Sequence, residues 1–421
     1  MRNIILKIVI AGLIAVSISA CCTTQHYEYK TVVYQPIYKP ANEIRNGVKV
    51  SPPKQLKNTG KIYVYGNYIF INEKKEGIHV VNNANPSSPQ IISFIEIPGN
   101  GDIAVKNNIL FADSYIDLIA FDITNPTQAN LVKRIENVFP NSLNSEVFGF
   151  NDPDKGILID VIMKDTVIKY SYKDCGDGMP IGVDMSEGRP NADFSGAKGG
   201  AGATGIGGSM ARFTIYDNYL YAVDRNNLQV VDIKIPADPK LWSKLNVGWD
   251  IETIFPFKNR LFIGSMTGMF IYDVSTPWNP QLLGQFSHAR ACDPVVADDN
   301  YAYVTLRTGT ACAGNLNQLD VLDIRDLRNP RLIKSYPMQE PAGLGLDNDI
   351  LFICDGPAGL KVFDAANPED LKLLDWQPEM KTFDVIPLGY SLLMIGEDGF
   401  YQYDYSDPKK LILLSKIPVV K

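Results

Sequence analysis

Apolar residues in this chain come in short runs. Within 102–135, Ile103-Ala104-Val105, Ile109-Leu110-Phe111-Ala112, Leu118-Ile119-Ala120-Phe121 and Leu131-Val132-Lys133-Arg134-Ile135 follow one another. Asn107-Asn108, a polar loop and Asn125-Pro126 separate them. Runs of this length, rich in branched and aromatic residues and bounded by Asn, Asp, Gly or Pro, predict β-strands. Helical repeats would need apolar positions at a spacing of about 3.6 over about ten or more residues, and no such pattern is present.

The runs are punctuated by one phrase. An acidic or amide residue ends the third run of each group and a proline follows: Asn82 with Pro86, Asp122 with Pro126, Asp232 with Pro236, Asp273 with Pro277, Asp364 with Pro368, and Asp404 with Pro408. Asp323 repeats it with the proline displaced to Pro330. Most copies lie roughly 40 residues apart, a period that marks repeat architectures. Four strands per period predict an all-β fold, a β-propeller with four antiparallel strands per blade, and the copies predict a seven-bladed ring. The step from Asp122 to Asp232 is far longer, which predicts an insertion at 138–209 after blade two.

Inside the insertion, 156–162 and 166–172 are strand-like and predict a hairpin, with a degenerate eighth blade as the alternative. Residues 195–209 are glycine-rich and include Gly200-Ala201-Gly202-Ala203-Thr204-Gly205. That string matches G-x-G-x-x-G, which cradles a pyrophosphate only between a strand and a helix. Neither flank is present, so the stretch reads as a mobile loop.

Antiparallel blades sort the loops onto two ends. The proline corners share one end, where Asp caps amides and Pro fixes φ, a structural role. Loops between second and third strands, and those between blades, share the opposite end, the top face. The insertion falls there, as does the expansion Thr308-Gly309-Thr310-Ala311-Cys312-Ala313-Gly314. Positions opening the first strands read Lys61, Asp102, Arg212, Asp250, Asp293, Gly343 and Asp384. These residues either bond neighbouring blades and channel waters, or Asp102, Asp250, Asp293 and Asp384 hold a small cation, for which calcium would suit oxygen ligands. No other cofactor is expected. His288 and Arg290 could bind an anion or serve as loop scaffolding. Cys292 and Cys312 open and close the first two strands of one blade, so a disulfide between them is feasible. Cys175 and Cys354 are left over, and pairing them would need the insertion to fold across the face.

Residues 1–20 read as a targeting segment: Arg2 and Lys7, an apolar core from Ile8 to Ile18, then a small-residue exit before Cys21. Ile18-Ser19-Ala20-Cys21 resembles the bacterial lipobox, which implies acylation of Cys21. Cys22 is either a second acylation site or a bystander. The residue after Cys21 is not the Asp of retained inner-membrane lipoproteins, and Thr23-Thr24-Gln25-His26 does not resemble the acidic surface-export signal of Bacteroidetes. The lipoprotein resemblance therefore implies the outer membrane and its periplasmic leaflet rather than the cell surface. Residues 21–59 read as an extended tether and 60–420 as the propeller. The formal net charge of the 421-residue chain is −7, and removal of residues 1–20 makes it more negative. With no basic run, nucleic acid is not an expected partner.

The third-run sequences Leu228-Gln229-Val230-Val231-Asp232 and Leu360-Lys361-Val362-Phe363-Asp364 resemble the Leu-Val-Ile-Val-Asp motif of the LVIVD-repeat family, over roughly residues 60 to 418. The chain is most similar to its lipid-anchored members in Bacteroidetes-type bacteria. The resemblance implies a propeller and an envelope location, and no particular activity. Three histidines are too few for a His-ligated centre to be expected, and no Gly-x-Ser-x-Gly elbow is present. The expected role is therefore a monomeric, non-catalytic scaffold whose top face binds an envelope protein or polysaccharide. The alternative is a hydrolase or lyase using the mouth carboxylates with Arg212 or His288.

Overall fold

The apolar runs become strands in the computed structural model, which describes residues 23–140, 152–174, 204–288, 294–308 and 316–420. One four-stranded antiparallel sheet comprises Ile103–Lys106, Ile109–Ser114, Asp117–Asp122 and Asn130–Ile135. Three further four-stranded sheets run from Val295–Ala297 to Arg331–Pro337, from Leu344–Asp347 to Lys372–Gln377, and from Thr382–Pro387 to Ile412–Pro418. A six-stranded sheet holds the quartet from Thr59–Tyr65 to Gln90–Glu96. Ile206–Gly207 is added beside its first strand and Lys49–Ser51 beside its fourth.

The other six-stranded sheet, from Phe213–Tyr216 to Gln281–Ser287, contains two long strands that change partners midway. In Tyr219–Asp232, the first half pairs with Phe213–Tyr216 and the second half with residues of Lys240–Phe257. The end of Lys240–Phe257 then pairs with Arg260–Ser265. Arg225 and Asp250, at φ 49° and 51°, lie where the partners change. Each third strand meets its fourth across a register shift just before the acidic or amide residue, for example between Val80 and Val81 and between Val362 and Phe363. Such bulges re-aim the chain into the proline corner.

Second strands are covered on both faces. Ile69-Phe70-Ile71, Leu110-Phe111-Ala112, Leu261-Phe262-Ile263 and Leu351-Phe352-Ile353 are all fully buried, as a sheet packed between two others requires. Burial of each such large side chain stabilises the fold by roughly 1.5–3 kcal/mol. Fourth strands lie at the outside and expose Leu131, Leu241, Leu282, Leu332, Leu373 and Leu413. First strands touch in succession, Thr59–Tyr65 on Ile103–Lys106, that strand on Phe213–Tyr216, and onward to Leu344–Asp347 on Thr382–Pro387. Ser391–Gly396 then packs back on Thr59–Tyr65. Ile62, Ile69 and Ile71 share a core with Ile386, Leu393, Ile395 and Leu56. Val420 donates its amide to the Leu56 carbonyl at 2.8 Å, so both ends of the sheet series are tied together.

By internal contacts the described residues form two compact units: those up to Pro36 with those of Val161–Asp193, and those of Ile37–Asp160 with those of Phe194–Lys421. In the smaller unit the pairing of Thr23–Lys39 with Ile157–Asp174 replaces the expected hairpin. The hairpin reading and the eighth-blade reading both fail because Met163-Lys164-Asp165, with no Gly or Pro and a single Asp, does not break the strand. The branched alternation therefore runs on as one strand, which finds its partner in the N-terminal stretch.

The tether expected over 21–59 is likewise structured in its later part. Ala41–Asn46 is a short helix with Ile44 buried, Lys49–Ser51 extends a sheet edge, and Leu56 is fully buried. An edge strand leaves a row of backbone groups unpaired, and Lys49–Ser51 satisfies them along Gln90–Glu96. Among the described residues no helix is long and apolar enough to cross a membrane.

Candidate functional site

The proline corners are built for structure. In every copy the acidic or amide side chain accepts the amide two residues on: Asn82 from Ala84, Asp122 from Thr124, Asp232 from Lys234, Asp273 from Ser275, Asp323 from Arg325, Asp364 from Ala366 and Asp404 from Ser406. Several proline carbonyls then accept hydroxyls from the neighbouring sheet. Ser93 donates to Pro126 at 2.8 Å, Tyr336 to Pro368 at 2.9 Å, Ser415 to Pro86 at 2.6 Å, and Tyr221 to Pro277. This end has its polar groups committed to turns and sheet-to-sheet bonds.

At the opposite end lie the turns between second and third strands and the connections between sheets. Asp102 opens its sheet there, 2% exposed. Its Oδ2 pairs with the Lys61 ammonium and accepts the Arg212 amide at 2.5 Å, while Oδ1 accepts the Ile103 amide at 2.8 Å. One carboxylate thus ties three successive first strands. The Arg212 guanidinium donates to the Val223 carbonyl at 2.9 Å. Asp250 forms an ion pair with Arg225 at 2.8 Å. His288 packs beside the Phe286 ring, centroids 6.4 Å apart, and its amide donates to the Thr267 carbonyl at 3.2 Å.

Asp384 is also 2% exposed. Its Oδ1 accepts the Val385 amide at 3.0 Å and the Ser209 hydroxyl at 3.4 Å, while Oδ2 is buried without a hydrogen-bond partner. Burial pushes this carboxyl up to about 7, against the opposing effects of the Val385 amide and the Lys61 ammonium. Gly208 and Gly343 enclose it, and a Cβ at either would fall 2.1 or 2.2 Å from a carboxylate oxygen.

Within the described residues this geometry gives the cation reading no support, and Asp293, its fourth carboxylate, lies outside them. Among the described residues no three His, Cys, Asp or Glu side chains converge to hold a metal. Asp102 is occupied by an ammonium and two amides and Asp250 by a guanidinium, so Asp102, Asp250 and Asp384 do not pool their oxygens. Cys21, Cys175, Arg290, Cys292, Asp293 and Cys312 lie outside the described residues, and with them the lipidation site and the Cys292–Cys312 pair. Cys354 is a free, buried thiol, and burial raises it well above its ordinary value.

The glycine-rich stretch departs from the loop reading where it is described, from Thr204 on. Thr204 bridges to Lys106, and Gly205 donates its amide to the Val105 carbonyl at 3.0 Å. Ile206 and Gly207 pair with Val64 and Tyr63. Ser209 Oγ accepts the Leu344 amide at 2.8 Å. These few residues form a strap across the first strands of four sheets. Its small side chains permit the approach, since a Cβ on Gly205 would meet the Val64 carbonyl at 2.4 Å. A cavity of about 350 Å³ remains beside the strap, bordered by first-strand residues Tyr63, Phe213, Ile254, Val296, Leu344 and Val385.

A second concavity of about 310 Å³ lies at the loop end between the first two sheets. Lys61, Lys74, Lys75, Arg212, Asp113 and Tyr115 border it, with Gly60, Gly99 and Gly101 between them. Of these, only Lys61 and Arg212 are singled out by the period. The adjacent pair Lys74-Lys75 at a second-to-third strand turn was the available signal.

Three segments of the chain, 57–95, 207–247 and 289–337, match the LVIVD repeat. A protein of known structure from Lactobacillus plantarum is similar in fold, with a TM-score of 0.53 at 12% identity, over 86% of this chain and 97% of the other. BamB from Moraxella catarrhalis is similar at a TM-score of 0.50 and 6% identity, over 89% of this chain and 99% of that one. No curated protein matches in sequence. At such identities the likeness concerns the fold alone, which is all-β and propeller-like. What the comparisons carry is the repeat itself: three segments of the chain are similar to the LVIVD repeat.

Proposed function

We propose that the chain is a lipid-anchored envelope propeller, seven blades in a closed ring, acting as a non-catalytic scaffold that binds a partner through its loop face. The seven-bladed reading divides the long six-stranded sheet into two quartets at Arg225 and Asp250, where the strands change partners. Closure of the ring is supported by the packing of Ser391–Gly396 on Thr59–Tyr65.

The observation that carries the functional reading is the contrast between the two ends. The proline corners repeat one geometry and bond to one another, whereas the segments that lengthen the repeat, 136–212, 287–294 and 306–318, all leave from the opposite end. Binding concentrates on variable loops held by a rigid scaffold. Catalysis by the mouth carboxylates is disfavoured because Asp102 is consumed by bonds to its neighbours and Asp384 lies beneath Gly208.

Anchoring through Cys21 in the periplasmic leaflet of the outer membrane belongs to the same proposal and rests on the 18–21 sequence. The test is affinity capture of the tagged mature protein from detergent-solubilised envelopes, beside a version with 308–316 replaced by a short glycine-serine linker. A partner retained by the parent and lost by the loop variant is expected. Equal recovery with both, or hydrolysis of envelope glycans by the purified protein, overturns the reading.

A further inference from the structure

The concavity between the first two sheets has an electrostatic character opposite to that of the chain. The net charge is −7, yet four cations and a single carboxylate border this space of about 310 Å³. The carboxylate, Asp113, is already engaged: its Oδ1 accepts the Gly101 amide at 2.7 Å, the Asp102 amide at 2.9 Å and Asn100 Nδ2 at 2.9 Å. Lys61 is held by Asp102, and Lys75 by Asp160 at 3.2 Å across an exposed pair worth little.

Lys74 and Arg212 differ. Among the described residues neither has a carboxylate partner within ion-pair distance. Lys74 Nζ stands 5.3 Å from the Phe383 ring centroid, and the Arg212 guanidinium donates to the Val223 carbonyl. Desolvation lowers the Lys74 ammonium from its ordinary value, with Glu73 opposing. An anion placed beside it would gain more than in open water.

The walls fit a small polar molecule. Tyr115, at φ 53°, lays its ring against Gly99, where a Cβ would meet ring carbons at 2.4 Å. The volume is at the small end of ligand pockets, which begin at about 300 Å³.

We propose that this cleft binds a small ligand bearing an oxyanion, a carboxylate or phosphate, with Lys74 and Arg212 as its principal contacts and Tyr115 as a wall. The site rests on the reading of the loop end as the binding face and names the chemistry recognised there. Titration calorimetry on the mature protein with Cys21→Ser, at low salt, uses three probes: galacturonate, inorganic phosphate and uncharged galactose.

Galacturonate or phosphate is expected to bind at least about tenfold more tightly than galactose, with Lys74→Gln and Arg212→Gln each weakening binding about tenfold or more. Preference between the two anions identifies which oxyanion is recognised. Unchanged melting verifies that both variants keep the fold. Binding of neither anion, equal binding of galactose, or affinities untouched by both substitutions overturns the proposal. Partner capture that persists in the Lys74→Gln/Arg212→Gln variant would leave the loop-face scaffold standing while this site fails.

Discussion

Asp384 offers a direct test of how the strap is seated. Burial raises its carboxyl from 3.8 to about 7. A carboxyl with a higher pKa in the folded state keeps its proton at a pH where the unfolded chain has released one. The resulting penalty is absent below pH 3.8, grows as the pH rises, and is complete above about 7. At about 1.36 kcal/mol per unit this amounts to roughly 4 kcal/mol.

Asp384→Asn removes the titration and retains the shape. Its amide, like the parent's protonated carboxyl, places an unpaired polar atom at the Oδ2 position, so that cost is common to both and cancels in the comparison. The variant is therefore expected to lie close to the parent in stability at pH 4 and to be more stable at pH 8. The stability difference should swing by roughly 4 kcal/mol between those limits. Urea unfolding of the mature protein, followed by fluorescence and circular dichroism together, measures it; coincident curves establish a single transition. A difference that stays constant from pH 4 to pH 8 would refute the reasoning, because a solvated Asp384 would titrate alike in both states.

Other expectations concern the frame. Lys361→Ala leaves Asp355, fully buried and paired at 2.7 Å, without its cation; a loss of about 3–5 kcal/mol is expected in the same unfolding assay. Tyr221→Phe removes the hydroxyl donated to the Pro277 carbonyl and should lower stability by about 0.5–1.5 kcal/mol, read as a small shift in urea midpoint. Gly205→Val drives a side chain into the Val64 carbonyl and should detach the strap, exposing the amides at positions 205 and 207 to faster hydrogen exchange. Cys21→Ser should move the protein from the membrane to the soluble fraction of envelope preparations.

The architecture was legible because its signals are local. Runs such as Leu110-Phe111-Ala112 and corners such as Asp122 with Pro126 depend on residues within a few positions of each other, and each copy repeats the same turn chemistry. The structural role of the Asp set followed from that chemistry and agrees with every corner described. The mouth residues were legible as positions and not as partners. Counting periods brought Lys61, Asp102, Arg212 and Asp384 to one end, but only coordinates assign Asp102 to an ammonium and two amides and Asp250 to Arg225.

The strand from Ile157 to Asp174 was misread because its alternation suits a hairpin as well as one long strand, and the choice belongs to a partner far away in sequence. The same holds for the strap. Glycine in 204–208 reads as freedom when the neighbours are unknown, and as close approach once Tyr63, Val64 and Asp384 are found against it. The sequence by itself thus determined strand, corner and repeat, which are short-range consequences of side-chain pattern. Tertiary structure decided which charges are spent on neighbours and which face open space, because burial and ion pairing depend on distances between residues that the chain order leaves unconstrained.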